Sequence, residues 1–77
     1  MQLQVTIMGP LTRPEGTDRP TVDLRPGATV DDLLAAVGYP EGQRRFILVA
    51  VNGQSVSHRY VLNAEDAVVC SLVVGGG

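Results

Sequence analysis

The chain is short, moderately apolar and weakly acidic. It has 77 residues, of which 44% are hydrophobic and 18% charged, and its formal net charge is −2. This size allows one domain with one core, and the composition is that of a globular protein. The weak negative charge gives no electrostatic reason to expect nucleic-acid or anionic-membrane binding. The apolar runs are far shorter than the ~20 residues that a membrane-spanning helix needs.

Two features favour a cytoplasmic location. Cys70 is the single cysteine and cannot form an internal disulfide, so a reducing compartment is expected. The start of the chain also has neither the basic region nor the apolar block of a signal peptide.

The first 24 residues predict two strands with a long connection between them. Residues 2–8 alternate between polar and apolar side chains, which is the period of a half-buried strand. Residues 9–20 contain three prolines and two glycines and predict a loop. Residues 21–24 alternate again, so the two strands are expected to form an antiparallel hairpin.

Residues 30–37 predict one short amphipathic helix. Thr29 is a favourable N-cap, and Asp32 lies three residues later, as in a capping box. Gly38 lies where a helix often ends, and Pro40 prevents its continuation. Apolar residues at spacings of three and four form a single stripe along it: Val30, Leu33, Leu34 and Val37.

The second half of the chain predicts three further strands. Residues 46–51 form a nearly continuous apolar run, which predicts a central strand covered on both faces or nearly so. Asn52-Gly53 is the strongest short hairpin signal, and residues 54–56 are the expected return strand. Residues 58–64 predict a polar crossover, and residues 67–74 predict the last strand.

These elements give the order β-β-α-β-β-β in one α+β domain over residues 1–74. The helix stripe is expected to pack on the first and last strands. Those strands should lie side by side and parallel, because the helix supplies the crossover between them. Alternation along the last strand separates two faces: Val68, Cys70 and Leu72 on one, and Val69, Ser71 and Val73 on the other.

The titratable side chains do not assemble into an active site. His58 has no second histidine and no cysteine at metal-ligand spacing and is interpreted as a surface-loop residue. Cys70 is expected to face the core as a small hydrophobe. Residues 31–32 are interpreted as helix-capping carboxylates and residues 65–66 as turn residues. Residues 44–45 (Arg44 and Arg45) are expected in a solvated loop, with a docking contact as the alternative. We therefore expect no metal site and no enzyme activity of the chain's own.

Gly75, Gly76 and Gly77 follow the last apolar strand. Glycine offers no side chain to bury and is costly to order, so this segment has no packing purpose. A glycine thread can, however, carry a terminal carboxylate into a channel too narrow for a Cβ atom. We therefore expect residues 75–77 to be a flexible tail that presents the carboxylate of Gly77, with a frayed end or a cloning scar as the alternative.

Several segments together resemble a known family. They are Gly9-Pro10-Leu11, residues 27–34 at the helix start, residues 49–53, residues 65–68 after Leu62, and the terminal glycines. In this order they resemble the MoaD/ThiS family of ubiquitin-like sulfur carrier proteins, which includes the small subunit of molybdopterin synthase and the thiamine sulfur carrier. The resemblance implies a ubiquitin-like β-grasp fold, with a mixed sheet of four to five strands packed against one main helix.

The chain departs from the family pattern at three places. The family often has Gly-Asp before the last strand, where this chain has Glu65-Asp66. Many members have prolines before the glycine pair, where this chain has Leu72-Val73-Val74, and the third glycine is unusual. The long 9–20 connection is closer to the molybdopterin type than to the thiamine type.

The resemblance also implies a role for the tail. In the family an E1-like adenylyltransferase, using ATP and Mg, adenylates the terminal glycine, which is Gly77 here. A persulfide from a sulfurtransferase then yields a thiocarboxylate, which donates sulfur in cofactor biosynthesis. Gly76 is the penultimate residue that this chemistry requires, and Gly75 is a spacer. The chain itself is expected to bind no cofactor.

Docking is expected on the open face of the sheet and near the tail. The candidates are Met8, Val69 and Val73, with Arg44 and Arg45 beside them. The partners implied are the activating enzyme, the sulfurtransferase and, in the molybdopterin pathway, a larger synthase subunit. Alone, the chain is expected to be a monomer.

Two other functions remain open at this point. The same glycine could join the chain to target lysines, as in a ubiquitin-like modifier. The domain could instead be a non-covalent β-grasp interaction module with an inert tail.

Overall fold

A computed structural model describes residues 1–72 as a five-stranded sheet with one main helix packed on one face. It confirms the predicted α+β class. The elements, in chain order, are β1 (Gln2–Ile7), β2 (Thr21–Asp23), α1 (Val30–Val37), α2 (Glu41–Arg44), β3 (Ile47–Val51), β4 (Gln54–Val56) and β5 (Val68–Leu72). The short helix α2 is an addition to the predicted order. The remaining elements agree with it to within two residues at each end, except that residues 73–74 of the predicted last strand lie outside the described residues.

The sheet is mixed, with the strand order β2-β1-β5-β3-β4. The first and last strands are central neighbours and run parallel, with Ile7 paired with Cys70, as predicted. The other three pairings are antiparallel. β5 is the strand that leads toward the tail, and it is held by hydrogen bonds to both β1 and β3.

One face of the sheet and the apolar stripe of α1 form the core. The predicted stripe residues are all buried, and none of them exceeds 2% exposure. They pack against alternate residues of the strands: Leu3, Val5 and Ile7 of β1, Val49 and Val51 of β3, and Val68 and Cys70 of β5. Burial of this stripe is what joins the helix to the two parallel strands.

The ends of α1 have the predicted caps. The Thr29 amide donates to the Asp32 carboxylate at 2.9 Å, and the Asp32 amide donates to the Thr29 hydroxyl at 3.3 Å. These hydrogen bonds, with a smaller contribution from the charge of Arg25, lower the pKa of Asp32 below its ordinary value. Gly38 is left-handed and donates to the carbonyls of Leu34 and Ala35.

The long connection between β1 and β2 is a loop, as predicted, but side chains anchor it at several points. The Arg13 guanidinium donates to the carboxylate of Asp18 at 2.7 Å and to the carbonyls of Ile7, Gly9 and Leu11. The buried Tyr39 hydroxyl donates to the carbonyl of Thr12. Because Leu11 and Tyr39 both belong to the core, this loop closes one end of it.

Three sequence interpretations need correction. Residues 46–51 are not covered on both faces, because the single main helix can cover only one; Leu48 is 48% exposed. Arg44 is not in a solvated loop but ends α2, where its side chain pairs with Asp31 at 2.9 Å and donates to the Tyr39 carbonyl. His58 lies in a turn but is half-buried, with Nε2 2.7 Å from the carbonyl oxygen of Ile47.

Candidate functional site

The face of the sheet opposite α1 carries exposed apolar side chains in the described part of the chain. We call this surface the open face. Across its strands, Ala50 lies opposite Val69, and Leu48 lies opposite Ser71. On the other side of β5, Thr6 lies opposite Val69. The backbone amide of Met8 donates to the carbonyl of Cys70, which places Met8 beside the end of β5.

The apolar part of the open face lies toward the end of β5. Met8 is 54% exposed, Phe46 is 52% exposed and Leu48 is 48% exposed. Phe46 lies in the turn directly before β3, next to Ile47, which pairs with Leu72 at the end of β5. Val69 is half-buried between these strands. At the other end of β1, the residues of this face are Gln2 and Gln4, so apolar exposure on this face is concentrated near the end of β5.

Arg45, the C-cap residue of α2, lies at one edge of this surface. Arg45 is exposed, and its guanidinium lies 4.9 Å from the centroid of the Phe46 ring, within the range of a cation–π contact. Arg44 is engaged within the chain by Asp31 and Tyr39, and its side chain is only 17% exposed. Of the two predicted docking arginines, Arg45 therefore offers the more accessible charge.

The structure brings two of the predicted docking residues, Met8 and Val69, onto the same face. Sequence reasoning missed Phe46 and Leu48, although a signal was available. One helix cannot cover both faces of a sheet, so a continuous apolar strand must expose every second residue. The predicted positions Val73, Gly75, Gly76 and Gly77 lie outside the described residues.

The described residues hold no group of three or more His, Cys, Asp or Glu side chains placed to bind a metal ion. Asp31, Glu41, Arg44 and His58 line an open cleft beside α2, and Arg44 is already paired there. Cys70 is fully buried, as predicted, and burial raises the pKa of its thiol to about 12. A thiol held neutral in this way is a poor nucleophile.

A scan against protein-family models matches residues 5–77 to the ThiS family. The match covers nearly the whole chain. This chain belongs to the ThiS family. No curated protein matches the sequence of this family member. Within residues 1–72, no helix combines the length and apolarity needed to span a membrane.

Solved structures show the same fold. The ThiS-family chain is similar to SAMP1 from Haloferax volcanii, with 24% identity, a TM-score of 0.78 and coverage of 100% of both chains. It is also similar to a putative molybdopterin converting factor subunit 1 from Pyrococcus furiosus, with 22% identity, a TM-score of 0.74 and coverage of 95% of this chain and 98% of that one. These neighbours have the ubiquitin-like β-grasp fold that the sequence predicts.

A third similar structure contains a partner. It is a complex of subunits 1 and 2 of the molybdopterin-converting factor from Helicobacter pylori. The match has 18% identity and a TM-score of 0.64, and it covers 100% of this chain and 100% of the matched chain. At these identities the three likenesses establish the fold of the ThiS-family chain.

Proposed function

We propose that this chain is a sulfur carrier protein whose reactive group is the carboxylate of Gly77. The observation that carries the proposal is the family match, which continues to residue 77. The structural likeness to SAMP1, which covers 100% of both chains, supports the same family assignment. In this proposal the folded domain contributes recognition, and the tail contributes the chemistry.

The proposed reaction begins with adenylation. An oxygen of the Gly77 carboxylate attacks the α-phosphorus of ATP on an E1-like enzyme, with Mg, and pyrophosphate leaves. The terminal sulfur of a persulfide then displaces AMP from the acyl carbon and forms an acyl disulfide. A second thiol attacks the sulfur farther from the acyl carbon, so that a disulfide forms with the sulfurtransferase and the thiocarboxylate leaves. Cys70 is buried with a raised pKa, which supports an external sulfurtransferase as the source of this sulfur.

The open face is the proposed docking surface for the activating enzyme. Met8, Phe46 and Leu48 expose apolar area beside the strand that leads to the tail. An enzyme bound there would lie close to the end of β5, with Arg45 able to pair with an acidic residue of the enzyme. Val69 lies on the same face between Thr6 and Ala50, and Val73 stays a predicted docking residue.

We favour molybdopterin synthesis as the pathway. The long β1–β2 connection and the likeness to molybdopterin converting factor subunits 1 support this choice. The partner subunit in the Helicobacter pylori complex supports a larger synthase subunit as a second partner of this chain. We also retain the expectations of a monomer when alone and of a cytoplasmic location.

A second function has specific support. SAMP1 is a small archaeal modifier protein, and two of its structures are similar to this chain. Attachment of Gly77 to target lysines would need the same adenylation step but would yield protein conjugates. The two functions therefore differ in the product and share the activation chemistry.

ATP–pyrophosphate exchange with the cognate activating enzyme tests the proposal. Gly77→Ala should suppress the exchange, because a Cβ atom at the last residue obstructs the narrow channel, while the melting temperature stays unchanged. The matched control is Gly42→Ala, since an added Cβ at Gly42 would have no atom within 4 Å. Unchanged exchange by the Gly77 variant would contradict the proposal.

A further inference from the structure

The turn between β3 and β4 contains the Asn-Gly pair that the sequence singled out as a hairpin signal. Asn52 has a φ of 53° and Gly53 a φ of 84°, so both residues are left-handed, as a two-residue hairpin turn requires. The proposed function does not use this pair, which lies at the opposite end of β3 from Phe46. Its chemistry nevertheless makes it a site of covalent change.

An asparagine followed by glycine is chemically labile. The backbone nitrogen of the glycine can attack the side-chain carbonyl carbon of the asparagine, because no Cβ on the glycine obstructs the approach. The new C–N bond forms a succinimide, and the side-chain nitrogen leaves as ammonia. Water then opens the succinimide to give aspartate or isoaspartate, so water is the only co-reactant.

The fold holds the Asn52 side chain away from this reaction. Its Nδ2 donates to Oδ1 of Asp66 at 2.9 Å, and its Oδ1 accepts from the Ala67 amide at 2.9 Å. The Asn52 amide also donates to the Ala67 carbonyl at 2.9 Å. To bring its carbonyl carbon onto the nitrogen of Gly53, the side chain would have to leave both partners, one of which is charged.

Asp66 is itself fixed by a second contact. Its other carboxylate oxygen, Oδ2, accepts from the Asn63 amide at 2.7 Å. The carboxylate therefore joins two turns, the β3–β4 hairpin turn and the turn before β5. Through Ala67 the same network continues into Val68, the first residue of β5, which pairs with Val51.

We propose that Asn52 is a latent deamidation site, which Asp66 and Ala67 protect in the folded protein. Conversion to aspartate would remove the Nδ2 donor and place a second carboxylate where Asp66 now accepts a hydrogen bond. Like charges at this distance repel, so the change would loosen the start of β5. The inference does not depend on the proposed function, because it concerns the end of the sheet away from the tail.

Peptide mass spectrometry after incubation of the full chain at mildly alkaline pH tests the protection. Deamidation at residue 52 should be slow in the native protein and faster in the same chain unfolded in urea. In the folded Asp66→Ala variant, deamidation at residue 52 should be roughly tenfold faster or more, because the variant loses a hydrogen bond to a charged group. Glu65→Ala is the matched control, since Glu65 is exposed and makes no hydrogen bond or ion pair in the described part of the chain.

A pair of variants tests the consequence and does not rely on the reaction rate. Asn52→Asp should lower the melting temperature, and adding Asp66→Asn should restore much of it, because the donor and the acceptor are then exchanged. Two results would overturn the proposal: equal deamidation rates at Asn52 in native and unfolded wild-type chains, or an Asn52→Asp variant as stable as the wild type. Asn63, the other asparagine, is an internal reference in the samples that keep Asp66, because its amide donates to that carboxylate.

Discussion

The helix-covered face and the open face of the sheet are made by alternate residues of the same strands, yet they differ in what holds them. On the covered face, Val49 and Val51 of β3 are buried against α1 with the rest of the core. On the open face, Leu48 of the same strand remains 48% exposed. An apolar residue on the covered face therefore contributes to folding, whereas one on the open face is available for a partner.

The same comparison applies to the two arginines at α2. Arg44 turns inward to Asp31 and the carbonyl of Tyr39, and it joins α2 to α1. Its neighbour Arg45 turns outward over Phe46 at the edge of the open face. Adjacent residues of the same type thus divide between stability and the candidate site, and substitution can separate these two roles.

The largest effect on stability should come from the covered face. Leu33→Ala removes a fully buried side chain of α1 and should cost about 2–5 kcal/mol of unfolding free energy. Urea denaturation followed by circular dichroism measures it. The same change on the open face, Leu48→Ala, is the control and should cost less than the Leu33 variant. Equal losses for the two variants would break the distinction between the faces.

A smaller effect should follow from Tyr39, which anchors the long loop to the core. Tyr39→Phe removes the hydrogen bond to the Thr12 carbonyl and should cost about 0.5–1.5 kcal/mol at neutral pH. Tyr60→Phe is the matched control, because Tyr60 is partly exposed at 37%. Thermal melts of the two variants and of the wild type measure the loss of stability. A Tyr60 variant that loses as much stability as the Tyr39 variant would contradict the anchoring role.

Alkaline pH gives an independent measure of the same burial. Desolvation raises the pKa of Tyr39 and of Cys70 to about 12 each, above the ordinary values of 10.0 and 9.0. The unfolded chain therefore loses these protons first. The stability they contribute is fully present below pH ~9 and falls as the pH rises toward ~12. In the Tyr39→Phe variant, the part of the stability loss that begins near pH 10 should disappear. If the free energy of unfolding depended on alkaline pH as it does in the wild type, burial of the Tyr39 phenol would be contradicted.

The smallest effect on stability should come from the open face, where a substitution should act on recognition by the activating enzyme. Leu48→Ala should raise the KM for this chain as substrate of the activating enzyme, with kcat little changed, because it removes docking area and leaves the tail intact. Gln4→Ala, at the polar end of the same face, is the control. Steady-state pyrophosphate exchange separates the two constants, and an unchanged KM for the Leu48 variant would remove the open face from the proposed docking surface.

The sequence predicted much of the fold because local signals and packing agree along the chain. The capped helix from Thr29 to Gly38, the hairpin at Asn52-Gly53 and the parallel pairing of the first and last strands are all confirmed. Each of these features has a short-range pattern or follows from the order of the elements. The ubiquitin-like β-grasp fold was implied by the resemblance to the MoaD/ThiS family, and the similar solved structures confirm it.

What the sequence did not predict depends on contacts between distant residues. Helix α2 has only four residues, and Arg44 joins it to Asp31, thirteen positions earlier in the chain. Arg13 and Tyr39 fix the long loop through backbone carbonyls, which leave no pattern in the sequence. Exposure of Leu48 is different, because a single predicted helix already implies that one face of the apolar run stays uncovered.

The mass of the intact protein, purified from its native host, tests the central claim most directly. The account predicts a population in which one oxygen of the Gly77 carboxylate is replaced by sulfur, and this population should be lost in a Gly77 deletion variant. A terminus that is always an unmodified carboxylate, together with ladders of conjugates on other proteins, would contradict the sulfur-carrier assignment in favour of a modifier. If neither the thiocarboxylate nor conjugates were found, and the chain still functioned without Gly76 and Gly77, the proposal of a reactive tail would be wrong.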